Sequence, residues 1–85
     1  MLALAFTDNG WDDYQHWIAH DRSILKRVNL LIGDARRNPT SGIGKPEQLR
    51  YRGVAMWSRR ITQEHRFVYT FDDEQVIVWQ CRHHY

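Results

Sequence analysis

The hydrophobic period of the chain changes once, and that change decides the fold class. Ile24, Val28, Leu31, Ile32 and Ala35 fall at i, i+4, i+7, i+8 and i+11. This is the apolar stripe of an amphipathic helix, with Lys26, Arg27, Arg36 and Arg37 off it. Farther along, Phe67, Tyr69 and Phe71 alternate with Arg66, Val68 and Thr70, the period of a strand. Residues 38–46 lie between, carrying two Pro and two Gly, and are expected to form a loop. Helices followed by a run of strands imply an α+β fold, with two N-terminal helices packed on one face of a mostly antiparallel sheet.

The remaining elements follow from local chemistry. Met1–Phe6 is expected to form a short buried strand, and Thr7 or Asp8 can cap a helix behind it. Trp11, Tyr14 and Ile18 recur at i, i+3 and i+7, one face of that helix. Asp21 is placed to cap the second helix, which Asn38-Pro39 ends, because Pro disfavours a helical residue before it. Val76–Cys81 is β-branched and aromatic, as strands prefer. Thr62–His65 and Asp72–Gln75 are polar turns, so hairpins are expected. The 85 residues suffice for one domain, residues 1–85, and the 42% hydrophobic and 26% charged content excludes a disordered chain.

No apolar run approaches the ~20 residues that span a bilayer. Met1–Phe6 also lacks a basic leader, so a cytoplasmic protein is expected, with Cys81 as a reduced thiol. Charge is uneven. Residues 1–44 hold five basic and five acidic side chains. Residues 45–66 hold Lys45, Arg50, Arg52, Arg59, Arg60 and Arg66 against Glu47 and Glu64, a net +4. Arg grips phosphate through a planar fork of donors, and Tyr51, Trp57 and Tyr69 are interleaved with these charges. Basic and aromatic residues together point to RNA, against the plainer reading of a solvated basic face.

Other chemistries fit less well. His16 and His20 have metal-pair spacing, but no Glu follows His16 as in H-E-x-x-H. In a strand, Cys81 and His83 would face one side and His84 the other, so no metal site is expected. Cys81 follows Ile77 and Trp79 on their expected face, the setting of a buried, inert thiol. Acid–base cleavage of RNA remains. The 2′-hydroxyl is the nucleophile, so the protein need supply only a base, an acid and cations. Glu47 follows Lys45-Pro46, His84 ends the last strand, and Arg60 and Arg66 flank a tight turn. On spacing alone, the plainer reading makes Glu47 a surface carboxylate paired with Lys45 or Arg50 and His84 a frayed terminal residue.

Several motifs occur in order along nearly the whole chain. They are Trp11-Asp12-Asp13-Tyr14, Arg36-Arg37 with Pro39, and Gly42-x-Gly44-Lys45-Pro46-Glu47-x-Leu49. Trp57-Ser58-Arg59-Arg60-Ile61, Glu64-His65-Arg66 with Val68-Tyr69, and Cys81-Arg82-His83-His84-Tyr85 follow. In these the sequence resembles the YoeB/Txe toxins of the RelE superfamily. The resemblance implies a fold like the microbial ribonucleases and a ribosome-dependent endonuclease that cuts messenger RNA in the A site of the 70S ribosome. It also implies neutralisation by a YefM-type antitoxin, the chance of a homodimer, and no cofactor. On the matching positions Glu47 would be general base, His84 general acid, and Arg66 the stabiliser of the scissile phosphate. Lys45, Arg50, Arg59, Arg60 and Tyr85 would contact RNA.

Three positions depart from the family pattern. Arg50 stands where Lys is usual, His83 where Tyr or Gly is common, and Ala55 where Gly precedes the Trp. None removes a group assigned to catalysis. A carboxylate is a weak base at neutral pH, which implies that the ribosome assists by orienting the RNA. The rival readings are a non-catalytic protein that blocks translation by occupying the ribosome, and a corepressor acting with the antitoxin.

Overall fold

The computed structural model describes residues 1–50 in full, the backbone of Tyr51, and residues 53–84. Arg52 and Tyr85, the latter an expected RNA contact, lie outside the described residues. The elements are β1 (Ala3–Phe6), α1 (Asp8–His20), α2 (Arg22–Arg37), β2 (Glu47–Tyr51), β3 (Val54–Arg60), β4 (Arg66–Phe71) and β5 (Gln75–Gln80). One five-stranded sheet runs in the order β1-β5-β4-β3-β2. β1 is parallel to β5, and the other pairings are antiparallel. This is the expected α+β arrangement. No helix among the described residues is long and apolar enough to cross a membrane.

Both helix starts use the expected caps. Thr7 Oγ1 accepts from the Gly10 N–H at 3.1 Å, and Asp21 Oδ1 accepts from the Ile24 N–H at 3.0 Å. On α2, Val28, Leu31, Ile32 and Ala35 are buried as the stripe predicts. On α1 the face named by spacing is not the one turned to the sheet. Trp11 and Ile18 are 49% and 48% exposed, whereas Gly10 and Trp17 are buried, with Tyr14 packed at the core's edge. Gly10 is the reason: α1 lies so close to β5 that a Cβ there would strike the Val78 carbonyl. The helix therefore turns its glycine, not Trp11, to the sheet. β1 also departs from expectation, because it is an edge strand whose Ala3 and Leu4 are exposed.

β5 contains an irregularity that moves Cys81. Tyr69 pairs with Val78 but Val68 pairs with Gln80, so Trp79 is an extra residue in the ladder. One inserted residue reverses the alternation beyond it. Cys81 consequently joins Val76 and Val78 in the core rather than sharing a face with Ile77 and Trp79. The strand also ends at Gln80, so the expected alternation of Cys81, His83 and His84 does not occur. Burial, with Asp13 nearby, pushes the thiol up to about 12.

Among the described residues, the largest fully buried side chain is an arginine. Arg59, expected to contact RNA, has no exposed surface. Its Nε donates to Tyr69 Oη at 2.9 Å. Nη1 donates to the Asp34 carboxylate and the Ile43 carbonyl, and Nη2 to the carbonyls of Asn38 and Ser41. All five guanidinium protons are thus used inside the protein, and Arg59 is removed from the RNA-contacting set. Tyr69 in turn donates to the Pro39 carbonyl. Burial would raise the Asp34 carboxyl, but hydrogen bonds from Arg59 and Ile43 and the charges of Arg59 and Arg37 together hold it below its ordinary 3.8.

Removing one partner from such a pair strands the other. Arg59→Met should lower the free energy of unfolding in urea by about 3–5 kcal/mol. The lowered Asp34 value makes its contribution complete above pH 3.8 and lost as pH falls through the folded value. The melting temperatures of the parent and Asp34→Asn should therefore differ most above that pH and converge below it, a trend that thermal scans across acid pH would check.

Candidate active site

The face of the sheet away from the helices holds most of the residues expected to form the site. Glu47, Ser58, Val68 and Gln80 form one row across β2, β3, β4 and β5, and Leu49 pairs with Met56 beside it. Two residues along, Arg60 and Arg66 stand directly opposite each other. Two adjoining depressions result. The smaller, about 100 Å³, is lined by Lys45, Glu47, Ser58, Arg60 and Arg66. The larger, about 520 Å³, is lined by Leu49, Met56, Val68, Trp79, Gln80 and His84, with Thr7, Asp8 and Asn9 at its rim. Its volume lies within the ~300–1,000 Å³ of small-molecule sites.

The loop at 38–46 delivers Lys45 and Glu47. Wrapped around Arg59, it is pinned to β3 where the Arg60 N–H donates to the Gly44 carbonyl at 2.7 Å. Gly44 has φ 79°, and a Cβ there would sit 2.7 Å from Leu31 Cδ2. Lys45 follows with φ 52°, a left-handed conformation that costs a non-glycine residue roughly 1–2 kcal/mol. Strain of this kind gathers at functional sites.

Arg60 and Arg66 carry a second cost. Like charges directly opposed on a hairpin destabilise it by ~0.2–1 kcal/mol. Arg66 is half-buried, and its Nη1 donates to the carbonyls of Thr62 at 2.7 Å, Gln63 at 3.1 Å and His65 at 3.1 Å. The turn thus fixes the guanidinium at the cleft wall. Three cations face one carboxylate in the smaller cleft, which suits a phosphate whose charge grows during reaction.

His84 arrives by a different route. Beyond β5 the chain leaves the sheet and turns at His83, which has φ 66°. The His83 carbonyl accepts from the Arg66 N–H at 3.0 Å, so the tail runs beside β4. Gln80 Nε2 donates to the carbonyls of Arg82, His83 and His84 at 3.3, 3.4 and 3.0 Å. On α1, Trp17 Nε1 donates to the Cys81 carbonyl at 2.7 Å and Asp13 accepts from the Cys81 N–H at 3.1 Å. Burial raises the Asp13 carboxyl above 3.8, against the Cys81 hydrogen bond.

Of the residues expected to form the site, Lys45, Glu47, Arg60 and Arg66 meet in one cleft, and His84 lines the next. Arg59 is in the core. Arg50 pairs with Ala55 and so falls on the opposite face of β2 from Glu47, which separates it from the cleft. Ser58 was given no role by the sequence, although it shares the two-residue period of Arg60. The tail anchors Asp13, Trp17, His65 and Gln80 were also missed, because contacts to backbone leave no periodic signal.

A model of the YoeB-like toxin of bacterial type II toxin–antitoxin systems matches residues 6–85. Toxin YoeB of Streptomyces coelicolor is 46% identical over 84 residues, covering 99% of this chain and all of the relative. The YoeB dimer structure from Staphylococcus aureus superposes with a TM-score of 0.91 at 38% identity, covering 99% of this chain and 98% of that one. The YoeB–YefM complex from the same organism gives 0.88 at 36% identity, covering 100% and 99%.

If the arginine pair is retained for an anion at the expense of the fold, the free protein should gain from losing it. Arg60→Gln should raise the stability of the ligand-free protein by ~0.2–1 kcal/mol while weakening its retention on single-stranded RNA. Calorimetry and a filter-binding titration would check the two halves.

Proposed function

The chain belongs to the YoeB-like toxins of bacterial type II toxin–antitoxin systems, and on that footing we propose that it is a ribosome-dependent endoribonuclease that cuts messenger RNA in the A site of the 70S ribosome. One observation carries the reading. Across the open face, the order is Glu47 on β2, Arg60 on β3, Arg66 on β4 and the tail bearing His84. A phosphate over the two arginines has a base on one side and an acid on the other, as in-line displacement requires.

The step divides among these groups. Glu47 takes the proton of the 2′-hydroxyl, and that oxygen attacks phosphorus. The bond from phosphorus to the 5′-oxygen breaks, and His84 supplies the proton that the leaving oxygen needs. A 2′,3′-cyclic phosphate and a 5′-hydroxyl result. Lys45, Arg60 and Arg66 meet the charge of the phosphorane. The nucleophile belongs to the substrate and the counter-charge to side chains, so no metal or cofactor enters. The larger cleft beside Trp79 is sized for a neighbouring base, and Tyr85 completes the RNA contact. The ribosome contributes by holding the message in line.

The partners follow from the same reading. A YefM-type antitoxin covers the basic face through an acidic segment that folds on contact. The Staphylococcus aureus complex supports that partner, and the dimer from the same organism supports a homodimer. The protein acts in the cytoplasm, where translated messages are.

Glu47→Gln and His84→Gln should each slow cleavage of a translated message by roughly 10²–10⁴-fold, read by primer extension with and without ribosomes. A 2′-deoxy nucleotide at the cut position should abolish the reaction; cleavage through it would rule out 2′-hydroxyl attack. Variants that no longer cut yet still arrest translation as well as the parent would favour simple occupancy. Antitoxin affinity should fall as salt rises, since opposite charges are screened.

A further inference from the structure

We propose that His65 is a positioning residue: its neutral imidazole, accepting at Nδ1, holds the turn that presents His84 to the larger cleft, and protonation of that ring releases the turn. For its effect on cleavage this rests on the reading of His84 as general acid; the tie itself does not.

The geometry assigns the tautomer. His83 N–H lies 2.7 Å from His65 Nδ1. A backbone N–H only donates, so Nδ1 carries the lone pair and the ring proton sits on Nε2. Nε2 lies 3.5 Å from Glu64 Oε1. The ring is buried, edge-on to Trp17 with centroids 4.8 Å apart. Trp17 anchors the Cys81 carbonyl, so the two side chains in edge-on contact hold the tail at both ends of its turn. His83 is left-handed at φ 66°, so the turn relies on such ties: Gln80 Nε2 and the Arg66 N–H hold its carbonyls, and His65 holds the His83 N–H. Protonated His65 would set a second donor against the His83 N–H.

The direction with pH follows from the surroundings. Burial of the ring disfavours its charged form most. Glu64 on the same hairpin opposes this, His83 and Arg82 on the tail reinforce it, and Asp13 on α1 opposes it. The balance lies below the ordinary 6.5. A lowered value favours the neutral ring, so the tie is complete above pH 6.5 and fails as pH falls through the folded value.

The test begins on the free protein by ¹⁵N NMR, without RNA. His65 should show the Nε2–H tautomer. The His83 amide should titrate with the His65 ring at a common midpoint below 6.5, and His65→Asn should abolish that titration. Ribosomal cleavage then follows. His65→Asn, whose amide oxygen can accept in place of Nδ1, should keep kcat within about threefold and lose the part of the acid-side decline that belongs to His65. His65→Leu should lose kcat by about tenfold or more with KM little changed. If His65→Leu does not fold, the NMR titration and His65→Asn decide. An Nδ1–H tautomer, a His83 amide indifferent to His65, or a folded His65→Leu cutting at the parental rate would each overturn the proposal. A parent that cuts no message would instead remove the nuclease reading, leaving the tie to be decided by NMR.

Discussion

The buried guanidinium of Arg59 is the interaction on which the site depends. It joins β3 to α2 through Asp34 and to β4 through Tyr69. It also gathers three carbonyls of the 38–46 loop, which lacks regular structure. Without that charge the loop would have little to fold against. With it, the chain is led over β3 at Gly44 and delivered to the strand that begins with Glu47. A cation in the core therefore fixes where the surface cations and the carboxylate stand. Burial of a charge is tolerable here because every proton has an acceptor and one acceptor is ionised.

The same arrangement shows what the sequence could and could not disclose. α2 was legible because its stripe is uninterrupted. The buried face of α1 was hidden because the residue nearest the sheet is Gly10, which hydrophobic patterning does not count. Adjacent arginines in a strand point to opposite sides, and Arg59 shares its side with Trp57 and Ile61 while Arg60 shares its side with Met56 and Ser58. Taking both as RNA contacts overlooked that alternation, and Arg50 beside Leu49 repeats the point. The extra residue at Trp79 was not legible, since no glycine or proline marks it. Lys45, Glu47, Arg60, Arg66 and His84 were legible as site residues, but their meeting place depends on cross-strand register, which no single segment encodes.

The site is also where the fold concedes stability. Lys45 and His83 are the two non-glycine residues with positive φ among those described, and they border the clefts from opposite sides. Between them stands the opposed pair Arg60 and Arg66. Two strained turns and one repulsive pair in so small an area are costs carried by the core beneath, where Phe67, Tyr69, Val76 and Val78 are fully buried. The rigid side of the sheet supports a face whose groups would scatter if left to themselves.

β1 pairs in the sheet with β5, so residues 3–6 wait for residues 75–78. The antiparallel hairpins from β2 to β5 close over short turns, whereas this parallel rung must close over almost the whole chain, which makes it a late event. α1 follows β1 directly, and its Trp17 and Asp13 grip the tail at Cys81. Contact order alone would have assembly run from the arginine hairpin outward, with the tail anchored only when the first strand and helix dock. A chain with only its hairpins formed would hold Arg60 and Arg66 without the anchored tail, so the two clefts would be completed together only at the end.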